Sequence, residues 1–242
     1  MKAVILAAGH GSRFSQYGVR HKALLPVNGQ TVIDYTLDGI QQAGISDICI
    51  VIGHEGQALQ DALGDGSTRG ANITYVMNTE HHRGNAVSVL TAKDEVGTEP
   101  FILSMADHMP SPEIIQGLVD GASENGWNLN ALAVDFDPDD RDIEEGTRVS
   151  VDNHGHIVAI GKNLPDWNGI DCGVFLFTPA IFEAIEAKLV EDSSHDELSQ
   201  AVSRMILSGN DLHAHDVDGA FWFDVDTWED LKLAREALGY VT

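Results

Sequence analysis

Cysteine is nearly missing from this 242-residue chain: only Cys49 and Cys172 occur, far apart and each inside an apolar stretch. Two thiols are too few for a disulfide framework or a thiolate metal site, so both are expected in the core. Long apolar runs are missing as well. Nowhere do 18 apolar residues follow one another, and Met1 leads into a strand-like run without the features of a secretory leader. A soluble, cytoplasmic protein is expected. Basic charge is scarce, with 14 Lys+Arg against 38 Asp+Glu and a formal net charge of −24. That field repels duplex DNA, RNA and anionic lipid, which argues against nucleic-acid and membrane partners. Acid in such excess, spread along the whole chain, suits hydration in a salt-rich cytosol, as a halophilic protein requires.

What is present is periodic. With 43% apolar residues the chain can fill one full-sized core, and a single domain over 1–242 is expected. Short β-rich runs alternate with amphipathic stretches, the pattern of a mostly parallel sheet wrapped by helices. Strands are predicted at Ala3–Ala7, Asp47–Ile52, 72–77 and Phe101–Met105. Helices are predicted from the Thr31–Asp34 capping box to Ala43, over 55–63 and over 85–94. The second half continues with a helix over 112–122 and a strand over 129–135. An acidic segment without apolar period, 135–146, is expected to be a loop. Asn153-His154-Gly155 marks a turn between Thr147–Val151 and Ile157–Ile160, an antiparallel hairpin inserted into the fold. A strand at Gly173–Phe177, a helix after Thr178-Pro179 and a final helix capped by Thr227 and stopped at Gly239 complete the pattern.

Within this acidic chain, residues 1–33 contain no Asp or Glu, where the average would place about five. They carry Lys2, Arg13, Arg20 and Lys22 instead. These cations surround Ala8-Gly9-His10-Gly11-Ser12-Arg13, directly after a buried strand, where glycines let backbone N–H groups approach an anion. A phosphate-rich ligand fits. A dinucleotide loop would place a third glycine where Phe14 stands, and a Walker loop would follow Lys22 with Ser or Thr instead of Ala23. There remains a long irregular loop, about 8 to 25, able to fold over a triphosphate. Asp107 ends a buried strand, and Asp224 and Asp226 flank the end of another apolar run. All three are hard oxygen donors suited to Mg²⁺. The adjacent His81 and His82 read as loop histidines.

Leu6-Ala7-Ala8-Gly9-His10-Gly11-Ser12-Arg13, followed by Lys22-Ala23-Leu24-Leu25-Pro26-Val27, resembles the signature of the sugar-1-phosphate nucleotidyltransferase superfamily. Arg83-Gly84-Asn85, Phe101 through His108, Asp171-Cys172-Gly173 and Trp222 through Thr227 are similar to its CTP:inositol-1-phosphate cytidylyltransferase branch. Ala23 and Ala106 depart from that pattern, which usually has Pro and often Gly there. The resemblance implies a Rossmann-like fold of the nucleotide-diphospho-sugar transferase type. It also implies transfer of a nucleotidyl group from a nucleoside triphosphate, CTP by preference, to a small phosphorylated polyol or sugar, inositol 1-phosphate by preference. Asp107 and one of Asp226 and Asp224, with Asp226 preferred, would hold Mg²⁺. Arg13 and Lys22 would hold the β- and γ-phosphates, and Lys162 the acceptor's phosphate. Leu6, Ala7, Ala8, Gly9, Gly11 and Ser12 would form the nucleotide loop, with the Ala7–Gly9 backbone reading the base and Gly84 and Asn85 opening a helix near base and ribose. His108 is given a positioning role. A sugar 1-phosphate or phosphocholine-like acceptor, or a non-catalytic nucleotide sensor, are the alternatives.

The charge balance makes a direct prediction. Melting temperature should rise as KCl increases from about 0.1 to about 3 M, because a Debye length near ~3 Å at about 1 M screens the self-repulsion. A flat or falling melting temperature, read by calorimetry, would remove the salt-adaptation reading.

Overall fold

The computed structural model describes residues 1–9, 12–15, 19–53, 55–124, 129–191 and 196–239. The first half runs β1 (Lys2–Ala7), α1 (Ser12–Ser15), a 3₁₀ turn at Lys22–Leu24, β2 (Pro26–Val27), β3 (Gln30–Thr31), α2 (Val32–Gln42), β4 (Asp47–Ile52), α3 (Gly56–Leu63), β5 (Asn72–Met77), α4 (Asn85–Thr91), α5 (Lys93–Val96) and β6 (Phe101–Met105). The second half runs α6 (Pro112–Glu124), β7 (Ala131–Asp135), α7 (Asp140–Glu145), β8 (Arg148–Val151), β9 (Ile157–Gly161), β10 (Gly169–Phe177), α8 (Ala180–Glu191), α9 (Leu198–Leu207), β11 (His213–Asp216) and α10 (Trp228–Ala237).

Among the described residues the main sheet has the order β11-β7-β10-β6-β1-β4-β5, with the β8–β9 hairpin attached to β10. β1 pairs in parallel with both β4 and β6, and β4 with β5. β10 runs antiparallel between β6 and β7, and β11 returns parallel to β7. The expected mostly parallel sheet with an antiparallel insertion is therefore present. No helix among the described residues is long and apolar enough to cross a membrane.

Strand alternation divides the core. Ala3, Ile5 and Ala7 face one side, packing with Ile33, Leu37 and Ile40 of α2 and Ile114, Ile115 and Leu118 of α6. Val4 and Leu6 face the other, with Val89 of α4, Phe182 of α8 and Val202 of α9. Strands covered on both faces must be apolar throughout, which is why β1, β4 and β6 are continuous apolar runs. Cys49 and Cys172 are both buried in these clusters, as expected. A third cluster, of Phe14, Leu25, Val27, Met109, Val225 and Leu231, seats α10 against Phe14 of α1.

Most predicted elements are found within one or two residues. The 85–94 helix breaks at Ala92 into α4 and α5. The acidic segment is not all loop: α7 forms over Asp140–Glu145, its N-terminus capped by Asp139, whose carboxylate accepts the Asp142 N–H at 3.0 Å. A cap and two carboxylates in the first turn, Asp140 and Asp142, favour the helix without any apolar period, and Arg141 docks it onto the Phe223–Asp224 strip and Asp230. The Thr31 box opens α2 as predicted, with the Asp34 carboxylate accepting from the Thr31 N–H and hydroxyl, both at 2.7 Å.

α4 starts in close contact with the segment before α9. The Ala86 N–H donates to the Asp196 carbonyl at 3.0 Å, and a Cβ on Gly84 would lie 2.1 Å from that same oxygen. Backbone cannot give way as a side-chain tip can. Gly84→Ala should therefore lower stability by about 1–3 kcal/mol, the usual cost of overpacking. Denaturant midpoints check this, and an unchanged midpoint would mean that α4 and the 196–198 segment are not packed this way.

Candidate active site

The carboxyl ends of β1 and β6 lie side by side and release two loops into one cleft, the edge at which open α/β sheets bind ligands. The loop after β1 is anchored by a residue that pattern reading overlooked. The His21 ring accepts the Ala23 N–H through Nδ1 at 3.3 Å, so the hydrogen sits on Nε2, which donates to the Ala7 carbonyl at 3.0 Å. Burial lowers its pKa and keeps this ring neutral. The backbone beyond β1 also approaches closely: a Cβ on Gly53 would lie 2.5 Å from the Ala8 carbonyl oxygen.

Next to His21, the 3₁₀ turn aims Lys22 inward. Its ammonium contacts Asp107 Oδ2 and lies 2.7 Å from Asp226 Oδ1, and Arg13 lies 3.1 Å from Asp226 Oδ2. Burial alone would lower the Lys22 pKa, but the two carboxylates outweigh it and hold the ammonium well above its ordinary range. Burial would likewise raise Asp107, yet Lys22 and then His108 pull its pKa down. Asp226 is lowered for the same reason, chiefly by Lys22 against its own burial. The carboxylates are thus ionised and ready to face a cation.

The strip 221–226 is sewn to the residues after β6. The Met109 N–H donates to the Phe223 carbonyl at 2.8 Å and the Val225 N–H to the Asp107 carbonyl at 3.0 Å, so His108 and Asp224 form an antiparallel bridge. At the far end, Asp230 Oδ2 accepts the Asp226 and Thr227 N–H groups at 3.0 and 2.6 Å, closing the predicted cap of α10. Arg141 of α7 reaches across: its guanidinium donates to the Asp224 carbonyl at 2.7 Å, pairs with Asp230 at 3.2 Å and lies over the Phe223 ring at 4.1 Å. Asp224 is raised, by burial first, although His108 opposes this. Asp171, half-buried at the bulge of β10, is pushed up to about 6 by desolvation.

The cleft has a volume of about 690 Å³. Leu6, Ala8, Gly9, Arg13, Asn85, Asp107, Lys162, Asp224 and Asp226 line it, nine of the residues named from sequence. Ala7, Lys22 and Gly84 stand behind the lining, Lys22 directly beneath Asp107 and Asp226. Gly11 lies outside the described residues, and of Ser12 only the backbone, in α1, is described. Lys162, after β9, is exposed on the opposite rim. Asn85 lines the cleft, but its side-chain oxygen accepts the Leu198 N–H at 2.7 Å. His81, Arg83, Arg141 and Asp171, to which the sequence assigned no role in the site, are among the other residues that line it. Arg83 is locked by Asp196 at 2.6 Å and Glu80 at 3.1 Å. Its partner Asp196 lies 113 positions away, and nothing local announced it. Chemically, one end of the cleft offers a glycine loop, Arg13 and a pair of charged aspartates, which suits a polyphosphate with a divalent cation. The other offers Lys162 and the acidic wall of α7.

Comparison with known proteins agrees with this chemistry. The Nucleotidyl transferase family model matches residues 2–239. A "Bifunctional IPC transferase and DIPP synthase" of Rubrobacter xylanophilus is 36% identical over 236 residues, covering 97% of this chain and 51% of the relative. A glucose-1-phosphate thymidylyltransferase of Streptomyces antibioticus is 29% identical over 98% of this chain and 66% of its own length. The chain thus spans about half to two thirds of the length of these relatives. Among solved structures, the inositol-1-phosphate CTP transferase from T. maritima superposes with a TM-score of 0.79 over 100% of this chain and 98% of that one, at 23% identity, which shows a shared fold. With a family match over nearly the whole sequence and a cleft built from the motifs that carry it, this chain belongs to the nucleotidyl transferase family.

Proposed function

We propose that this nucleotidyltransferase joins CTP to inositol 1-phosphate, releasing pyrophosphate, with Mg²⁺ held by Asp107 and Asp226. The observation that carries the reading is that these two ionised carboxylates flank Lys22 in the same cleft as Gly9, Arg13 and Lys162. Hard carboxylate oxygens at a phosphate-binding loop fit Mg²⁺, which supplies charge neutralisation on the triphosphate when bound. Arg13, exposed beside Asp226, takes the β- and γ-phosphates, and Lys22 fixes the carboxylates from below while adding positive field. The backbone of Ala7 to Gly9 and the start of α4 flank the base and ribose.

On the opposite rim Lys162 holds the acceptor's phosphate. Asp142, Glu144 and Asp171, carboxylates on the same side, accept hydroxyl donors, which suits a polyhydroxylated acceptor. An acceptor phosphate oxygen attacks the α-phosphorus in line; that P–O bond forms as the bond to the β-phosphate oxygen breaks, and pyrophosphate leaves with the electron pair. A phosphomonoester has its second pKa near ~6, so it attacks as the dianion and the protein supplies no general base. The overlap with an inositol-1-phosphate transferase and with IPC transferases supports this acceptor, and the protein acts where the chain's acidity keeps it hydrated, in a saline cytosol.

Pyrophosphate release from the four ribonucleoside triphosphates and dTTP, each against inositol 1-phosphate, glucose 1-phosphate and phosphocholine in Mg²⁺, tests the reading. CTP with inositol 1-phosphate should turn over fastest. Faster turnover of dTTP with glucose 1-phosphate would reassign the substrates, and no pyrophosphate from any pair would leave a nucleotide sensor.

Two further outcomes follow from the division of the cleft. Asp107→Asn should lower kcat by about 100-fold or more, the scale of losing one preorganised electrostatic contact, while the circular dichroism spectrum is unchanged. Arg13→Ala should weaken triphosphate binding, whereas Lys162→Ala should chiefly raise the acceptor's KM, since a contact made equally in ground and transition states acts on KM. Equal effects of both on CTP affinity would show that the two cations do not serve separate substrates.

A further inference from the structure

The glycine loop leaves β1 after Ala7 and returns at His21, 14 positions later. Phe14, buried with its ring edge-on to Trp228 at 5.1 Å, pins its middle to the third core cluster. A loop of this length must also be closed at its ends, because ordering an open loop when a ligand arrives costs affinity. One ring closes it. His21 Nε2 donates to the Ala7 carbonyl at 3.0 Å, where the loop begins, and Nδ1 accepts the Ala23 N–H at 3.3 Å, where the next element begins. Ala7 is the last residue of the β1–β4 ladder, and the β1–β6 ladder stops one residue earlier. The ring therefore carries the order of β1 past the end of the sheet.

His21 is 7% exposed and is not part of the cleft lining. Burying an imidazole costs free energy that its two hydrogen bonds offset. The same bonds orient Lys22. His21 caps the 3₁₀ turn from an extended backbone, φ −154° and ψ 127°, its carbonyl accepting the Leu24 N–H at 3.0 Å, while the Lys22 carbonyl accepts the Leu25 N–H at 3.0 Å. Lys22 is thus held by the turn on one side and by the tie to β1 on the other. What His21 holds lies on one rim: Ala8, Gly9 and Arg13 line the cleft from the loop it closes. Lys162 follows β9, and no bond joins His21 to that hairpin among the described residues.

We propose that His21 is a positioning residue of the triphosphate site: its ring clasps the end of β1 to the Lys22 turn, keeps the glycine loop in its binding shape before the nucleotide arrives, and so sets nucleotide affinity without touching the nucleotide. The bond to Ala7 is the decisive one, because the turn retains its own backbone bonds when the ring is lost, whereas the Ala7 bond is what spans the loop. This inference rests on the reading that a nucleoside triphosphate occupies the glycine loop.

Calorimetric titration of the full chain in Mg²⁺, without acceptor, with CTP, UTP, GTP, ATP and dTTP identifies the triphosphate that binds most tightly, and two variants are compared on it. Asparagine places its amide oxygen where Nδ1 stands and can cap Ala23, but stops short of Ala7. Glutamine places its amide nitrogen where Nε2 stands and can donate to Ala7. His21→Asn should therefore raise Kd by about 10-fold, and His21→Gln should stay within about 3-fold of the wild type. Equal weakening by both, or His21→Asn binding as tightly as the wild type, overturns the clasp. Long-range ¹H–¹⁵N spectra of the wild-type chain near neutral pH should show the His21 ring as the Nε2–H tautomer, and the Nδ1–H tautomer overturns the clasp even where a variant does not fold. Triphosphate binding with no pyrophosphate from any acceptor would sink the transferase reading and leave the clasp standing, whereas a wild-type chain that binds no triphosphate would sink the clasp.

Discussion

The buried ammonium of Lys22, held between Asp107 and Asp226, is the contact on which the cleft depends. It joins a turn early in the chain, the end of β6 and the strip before α10, segments that no local interaction would bring together. Taking these charges out of water is costly, and attraction repays the cost only when each charge is met. Here it is met twice by one lysine, with Arg13 on the outer oxygen of Asp226. Removing the lysine would leave two carboxylates facing each other in a partly dry site, so this contact fixes geometry as much as it lends charge.

The same contact explains the charge distribution along the chain. A net charge of −24 places every cation in a strongly negative field, and a phosphate-binding loop must overcome that field locally. Keeping acid out of the first 33 residues does so. Screening acts differently on the two levels: salt weakens repulsion between exposed carboxylates many ångströms apart, but hardly touches a buried pair at contact distance. A saline medium therefore relaxes the surface while the framework of the site persists, and only the exposed Arg13 and Lys162 lose reach.

The sequence made the frame of this site legible because strands buried on both faces must be apolar, and β1, β4 and β6 announce themselves in that way. Asp107 was legible as the polar residue that ends such a run. The pair Asp224 and Asp226 was not resolved, since residues two apart on an extended strip share a face and offer the same chemistry. What separates them is the pairing of the strip with residues 107–109, which puts Asp224 opposite His108 and carries Asp226 on to Lys22. That pairing is a tertiary fact. The anchoring role of His21 and the ion pair of Arg83, a residue quoted only as part of a motif, escaped notice for the same reason, their partners lying far off in sequence or in backbone carbonyls, and α7 was hidden because its cap and Arg141 contacts outweigh a pattern with no apolar period.

Arg141 shows how the two ends of the cleft are joined. Its helix supplies an acidic wall of the cleft, yet its guanidinium is bound to the Asp224 carbonyl and to Asp230, the residue that caps α10 and receives the Asp226 N–H. The wall and the aspartate strip are thus attached to one another and not merely to the sheet. Any displacement of α7 is therefore carried to the strip, and any displacement of the strip to α7. Such mechanical continuity gives each ligand a differential contact with the position of the other's site, which is the physical requirement for coupling between them. The Phe223 ring beneath the Arg141 guanidinium adds a third contact to that link, so the two are joined by charge, hydrogen bond and ring at once.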